Sequence, residues 1–156
     1  MTLGTQWSWK PNDQLKTSAQ VLKILAQCAG GDGNLLLDVG PMPDGRIEAR
    51  QVEILKQVGD WLARNGESIY GTRGNIIVPQ QWGVVTYKNK TLYAHVLNMP
   101  QQPYIFLPLV KGKVTKVTLM SDGTGIKYKQ QPEGLFVYAD NIKPDDIDTI
   151  IEITTN

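Results

Sequence analysis

The sequence predicts an α/β first half followed by an all-β second half, with the pattern changing near Gly74–Pro79. Apolar residues at Leu35–Leu37 and Val39 are typical of a strand covered on both faces, as in parallel sheets flanked by helices. An amphipathic stretch over about residues 48–64 follows, with apolar residues at helical spacing. From Trp82 onward, short strand-like segments alternate with turn residues, and Trp82 itself is expected to pack between the two halves.

The first helix and the segment before it are marked by local signals. Residues 1–5 are β-capable and lead into a loop over residues 6–13. Thr17 with Gln20 three positions later is a capping-box pattern, which predicts the start of a helix. Gly30–Gly31 predicts its end, because glycine adopts the backbone conformations found after a helix C-terminus.

The buried strand and the second helix come next. Pro41 and Pro43 forbid continuation of the strand, and Asp44–Gly45 supplies a turn. The buried stripe of the helix consists of Val52, Leu55, Val58, Trp61 and Leu62. Asn65–Gly66 ends this helix.

The second half is predicted to be a small antiparallel β-sandwich, because short strands recur at regular spacing with turns between them. The predicted strands are 84–87, 92–97, 104–110, 114–120, 125–129, 135–139 and 149–154. The first two form a hairpin around Lys88–Asn89–Lys90.

Composition excludes several classes of function. The 156 residues carry 16 basic and 15 acidic side chains, a balance that gives no argument for nucleic acid or an anionic membrane. No apolar run approaches the roughly 18 residues of a membrane helix, and no signal peptide is visible at Met1–Trp9. One cysteine, Cys28, and one histidine, His95, predict no disulfide, no metal site and no cofactor. We interpret both as structural residues.

Three blocks of the first half carry a family resemblance. They are Met1–Leu3 followed by Trp7–Asp13, Gly33–Pro41 with Pro43–Gly45, and Trp61–Leu62 with Asn65–Thr72. In order and spacing they resemble the end of the catalytic domain in the α-L-fucosidases of glycoside hydrolase family 29. The second half resembles that family only in kind, as a C-terminal β-sandwich.

The resemblance implies the C-terminal part of an α-L-fucosidase, a retaining hydrolase of α-L-fucosyl linkages in glycans. Residues 1–74 would be the last two βα units of a (β/α)8-like barrel, and residues 75–156 the β-sandwich. The nucleophile and the acid/base of the family lie upstream of the matched blocks, so no catalytic residue is assigned here and the chain alone is expected to be inactive. Family members are often secreted, periplasmic or lysosomal, which leaves the compartment open.

Three residues are candidates for substrate binding. The resemblance places Trp7 where the family sets an aromatic residue against the sugar, and an aromatic face suits the apolar patch and methyl group of L-fucose. Trp9 stands where tyrosine is frequent, and Asp38 where asparagine is common. For each a structural role is the alternative: a core tryptophan at Trp7 or Trp9, or at Asp38 a carboxylate that accepts bonds from loop amides. Asp44 and Glu67 are interpreted as a turn residue and an anchor of the chain exit.

An alternative function is a non-catalytic carbohydrate-binding or docking module formed by the sandwich. Aromatic rings exposed on one sheet face would favour it, and the available tyrosines are Tyr87, Tyr93, Tyr104 and Tyr138. The expected partners are a fucosylated glycan and the remainder of the barrel. Without the remainder of the barrel, two barrel strands expose edges and apolar faces that favour self-association.

Overall fold

The structure is a computed structural model that describes residues 1–140 and 142–156. Two helices, α1 (Ser18–Gly30) and α2 (Ala49–Asn65), are followed by a short 3-10 turn at Gly66–Ser68. Within the described residues seven strands follow: β1 (Gly83–Lys88), β2 (Thr91–Val96), β3 (Tyr104–Pro108), β4 (Val114–Leu119), β5 (Tyr128–Gln131), β6 (Gly134–Tyr138) and β7 (Thr149–Thr155). In this described part neither helix is long and apolar enough to cross a membrane.

Local sequence signals correctly predicted the start of α1 and the first hairpin. The Thr17 hydroxyl accepts a bond from the Gln20 amide, and the Gln20 side chain accepts one from the Thr17 amide, which confirms the capping box. The β1–β2 hairpin is also confirmed, with Lys88 opposite Thr91 and Asn89 at a positive φ of 56°. Asparagine tolerates that left-handed conformation well.

The strands form two antiparallel sheets that pack face to face. One sheet has the order β1-β2-β7-β4 and the other β3-β6-β5. Between them lies an apolar core that includes Val85, Ala94, Ile105, Val137 and Ile151. The predicted sandwich is therefore present in the second half of the chain.

The four-stranded sheet is buried on its other face as well. Tyr93 of β2 and Ile150 of β7 pack into a second core with Leu3, Leu22 and Trp61 of the first half. Alternate residues of a strand point to opposite faces, and this explains why nearly all of β2 is buried. The molecule thus has three layers: helices, four-stranded sheet, three-stranded sheet.

Two predictions about the second half need correction. The strand predicted at 125–129 begins later, since Gly125 forms only an isolated bridge to Thr118 and β5 starts at Tyr128. Trp82 was expected between the two halves, but it lies in the core between the sheets, where its indole N–H donates to the Phe106 carbonyl at 3.3 Å.

The segment Leu35–Val39, predicted to be a buried strand, forms only an isolated bridge, on one side, within the described residues. The Leu3 amide donates to the Asp38 carbonyl at 2.9 Å and the Asp38 amide to the Met1 carbonyl at 2.8 Å, in a parallel bridge between Thr2 and Asp38. The expectation that both faces are covered is wrong, because Leu36 is 75% exposed.

An ion pair holds the loop after α1 to the segment that enters the sandwich. Arg73 donates to the two carboxylate oxygens of Asp32 at 2.8 and 2.6 Å, and the Gly74 amide donates at 3.0 Å. The Arg73 guanidinium first, then the Gly74 amide, lower the pKa of Asp32 from 3.8 to about 2. Folding therefore favours the ionised carboxyl at this junction.

Stability at this junction should fall in acid with a defined sign. A lowered pKa stabilises the fold fully above the ordinary value of 3.8, and this contribution is lost as the pH falls through about 2. We expect Asp32→Asn to lower the melting temperature at neutral pH and to converge with the wild type near pH 2. Asparagine tolerates the positive φ of 62° at this position, so the backbone is conserved. A constant difference from neutral pH to pH 2 would contradict the prediction.

Candidate functional site

The loop between Gly4 and Asp13 is the first element of the site. Its anchor is the buried Asp13 carboxylate, which accepts bonds from the Thr5 amide at 2.8 Å, the Thr5 hydroxyl at 2.6 Å and the Gln14 amide at 2.9 Å. The two bonds from Thr5 lower the pKa of Asp13 below its ordinary value. A Cβ at Gly4 would stand 2.3 Å from Asp13 Oδ2, so a side chain at position 4 would collide with the anchor.

Trp7 lies at the outer part of this loop. Its side chain is 72% exposed, the most exposed of the large aromatic residues in the described chain. The indole is a free apolar surface on a loop whose base is fixed by Asp13.

Trp9 is half-buried and its polar group is already used. The indole N–H donates to Glu48 Oε2 at 2.9 Å, and Glu48 also bonds the Arg50 side chain. The Arg50 guanidinium first, then the indole N–H, lower the pKa of Glu48 below its ordinary value. Arg50 in turn donates to the Asp13 carbonyl at 3.1 Å, which ties the start of α2 to the Trp9 loop.

Asp38 and Gly40 form the second segment of the site. Asp38 Oδ2 is buried and meets no hydrogen-bond donor among the described residues. A Cβ at Gly40 would lie 2.5 Å from the Trp9 amide nitrogen, so the backbone after Asp38 runs directly against the Trp9 loop. Trp7, Trp9 and Asp38 therefore belong to two segments that touch.

Gln51 joins this site and was missed in the sequence analysis. Its side chain is buried, its Nε2 makes a long contact of 3.5 Å with the Gly40 carbonyl, and its Oε1 has no partner among the described residues. A glutamine in the first turn of a helix gives no signal in the sequence. With Asp38 Oδ2 it adds a second unpaired buried acceptor to the region, and such atoms call for a donor.

The other acidic candidates are engaged in local structure. Asp44 accepts bonds from the Arg46 backbone amide at 3.1 Å and from its guanidinium at 2.8 and 2.6 Å, which confirms the turn interpretation. Glu67 is exposed, and its carboxylate lies near Tyr93. Burial first, then the charge of Glu67, raise the pKa of Tyr93 to about 12.

His95 lies in a polar network that is closed to solvent. Its Nδ1 is 2.6 Å from Asp148 Oδ2 and its Nε2 is 3.2 Å from the Thr86 hydroxyl, which donates to the Ser68 carbonyl at 2.6 Å. A hydroxyl, a histidine and an aspartate in line resemble a nucleophilic triad. Both His95 and Thr86 are 0% exposed, however, so no substrate reaches them. The network instead joins β1, β2 and the 3-10 turn, and no signal in the sequence indicates Asp148.

Within residues 1–140 and 142–156 no group of three or more histidine, cysteine or acidic side chains is placed to hold a metal ion. The carboxylates of Asp13, Asp44 and Glu48 are bonded to hydroxyl, arginine and tryptophan donors. The arrangement suits contact with an uncharged ligand that has both an apolar face and hydroxyl donors.

Comparisons with known proteins agree on one group of enzymes. The family model described as alpha-L-fucosidase matches residues 1–67. The plasma alpha-L-fucosidase of Pongo abelii is 33% identical over 119 residues, which cover 72% of this chain and 26% of that protein. The chain spans about a quarter to a third of the length of the curated relatives it matches.

Solved structures cover nearly all of the chain. Alpha-L-fucosidase isoenzyme 1 from Paenibacillus thiaminolyticus is 34% identical with a TM-score of 0.87, over 100% of this chain and 39% of that one. A family GH29 alpha-L-fucosidase from Bacteroides thetaiotaomicron, trapped as a covalent intermediate with 2-fluoro-fucosyl fluoride, has the same fold, with a TM-score of 0.87 at 24% identity over 99% of this chain and 36% of that one. Both halves of the chain thus occur together in those structures.

Proposed function

We propose that this chain completes an enzyme that hydrolyses α-L-fucosyl linkages in glycans. The premise is that the chain belongs to the α-L-fucosidases of glycoside hydrolase family 29 and spans the C-terminal part of the family's members. Residues 1–74 form the end of the catalytic barrel and residues 75–156 an ancillary sandwich. The observation that carries the proposal is the meeting of two loops, Gly4–Asp13 and Asp38–Gly45, just after two parallel-paired segments. Active sites of barrel enzymes lie on the loops that follow parallel strands.

The barrel interpretation is supported by the edge left open beside Leu36. Residues 1–3 pair with one side of the segment around Asp38 in parallel, each segment is followed by a helix, and both helices pack on the same core. That is the order of two βα units. Leu36 would be covered once further strands and helices of the barrel stood beside it.

Trp7 is the residue we assign to the sugar. L-Fucose offers a methyl group and an apolar ring patch, which an exposed indole can cover while polar groups hold the hydroxyls. Trp9 positions the loop through its bond to Glu48. Asp38 and Gln51 offer unpaired buried acceptors, and we assign to Asp38 a bond to a donor supplied by the substrate or by the rest of the barrel.

The chemistry itself requires two further carboxyl groups. In retaining hydrolysis one carboxylate attacks the anomeric carbon, and a carboxylic acid protonates the leaving oxygen. Water, deprotonated by the second group, then releases the sugar with retention. We place both groups in the part of the enzyme outside residues 1–156, so this chain contributes to binding and to the frame of the site.

Replacing Trp7 by alanine in the full-length enzyme that contains this chain tests the assignment. We expect weaker fucose binding by about 1–3 kcal/mol, because a large apolar contact is lost. The measurement is the inhibition constant of fucose, with Tyr70→Ala as the control because Tyr70 is also an exposed ring of the first half. Equal loss in both variants, or no loss for Trp7→Ala, would refute the role.

The open face around Leu36 predicts self-association of the chain when it is studied alone. An apolar edge without its neighbours is a surface that other copies can cover. Leu36→Lys should therefore shift the chain toward monomer in sedimentation velocity at the same protein concentration. Leu109→Lys is a matched control, since Leu109 is 76% exposed but lies in the sandwich. A compact monomer before any substitution would be the contrary result.

A further inference from the structure

A groove on the sandwich lies apart from the site around Trp7. It is formed where β1 begins, β2 ends and β3 begins, and its volume is about 650 Å³. Cavities that bind small ligands are about 300–1,000 Å³. Its size therefore suits a ligand of more than one sugar ring.

Amide side chains form the polar part of the groove. Gln81, Asn98, Gln101 and Gln102 line it and are all exposed. Their side chains make no hydrogen bond to protein groups in the part of the chain that the structure describes, and each offers two N–H donors and one carbonyl acceptor. No charged residue is among the groove's lining. A ligand with many hydroxyls and no charge fits this set of partners.

Aromatic rings form the apolar part. Tyr104 and Phe106 of β3 line the groove and, as alternate residues, share one face of the three-stranded sheet. Phe136, opposite Phe106 on β6, supports both rings, with centroid distances of 5.4 Å to Tyr104 and 4.8 Å to Phe106. The rings are therefore held in place before a ligand arrives.

We propose that this groove binds a neutral oligosaccharide, independently of fucose at the Trp7 site. The C–H face of a sugar ring packs on Tyr104, and its hydroxyls exchange hydrogen bonds with the amides of Gln81, Asn98 and Gln102. An anionic ligand would find no positive partner in the lining. The sandwich thereby acquires a role of its own, which holds whether or not the first half contributes to fucose hydrolysis.

The test is a titration of the ¹⁵N-labelled chain of residues 1–156, followed by two-dimensional NMR. The probes are maltohexaose, cellohexaose and mannohexaose, with hexagalacturonate as a charged probe of the same length. We expect at least one neutral probe to shift the side-chain amide signals of Gln81, Asn98 and Gln102 in a saturable manner. No shift with any neutral probe up to its solubility limit, or an equal shift with hexagalacturonate, would overturn the proposal.

Two variants separate binding from folding. Tyr104→Ala should weaken binding about tenfold or more, as expected for loss of a stacked ring. The double variant Asn98→Ala/Gln102→Ala removes exposed side chains only and should also weaken binding while the spectrum stays folded. Tyr128→Ala, on β5 of the same sheet but outside the groove, should bind like the wild type. Unchanged affinity in both the Tyr104 and the amide variants would overturn the assignment.

Discussion

The chain of residues 1–156 is expected to release no product from an aryl α-L-fucoside above background. Retaining hydrolysis needs two carboxyl groups about 5–5.5 Å apart and free to react. Near the candidate site, Asp13 caps the loop, Asp44 is bonded to Arg46, and Glu48 is bonded to Trp9 and Arg50. The buried Oδ2 atom of Asp38 meets no hydrogen-bond donor among the described residues. None of these carboxylates is prepared to attack a sugar.

The assay needs controls in both directions. A full-length family enzyme under the same conditions provides the positive signal, and heat-treated chain provides the background. Turnover proportional to the concentration of the chain would contradict the prediction. Loss of that turnover in Asp38→Asn or Asp44→Asn would then identify the acting carboxylate and require a different mechanism.

Asp148→Ala should have the largest effect on stability. The carboxylate faces His95 at 2.6 Å, and both side chains are nearly inaccessible, at 1% and 0% exposure. Thr86 donates to the Ser68 carbonyl, so the Asp148 carboxylate is the acidic partner of His95 in this network. Removing one member of such a buried pair costs about 3–5 kcal/mol, since the other is left without a partner.

Chemical denaturation of the wild type and the variant gives the difference directly. Asp146→Ala is a matched control two residues away, because Asp146 is exposed and should change little. Asp148→Asn keeps an acceptor for His95 and should fall between the two. A loss below about 1 kcal/mol for Asp148→Ala would mean that the network tolerates an unpaired histidine.

Local sequence signals predicted local structure well, and contacts between distant residues poorly. Thr17 and Gln20 are three positions apart, and their capping box is present. His95 and Asp148 are 53 positions apart, and Trp9 and Glu48 are 39 apart. Chain topology, which no single window of sequence contains, brings each of these pairs together.

The burial predictions failed for a related reason. The apolar character of a residue shows only that its burial is favourable, and the residues packed around it determine whether it is buried. Leu36 lies in an apolar run but remains exposed at the open edge. Trp82 is buried as its type suggests, although between the sheets rather than between the halves.

The four-stranded sheet, with helices on one side and a second sheet on the other, has a consequence for engineering. Cutting the chain near residue 74 would remove the apolar partners of Tyr93 and Ile150 and expose the polar network around His95 to water. Residues 75–156 alone are therefore expected to be a poor domain for fusion to another protein. A donor for such fusions should be the whole 156-residue unit, which we expect to melt in one step.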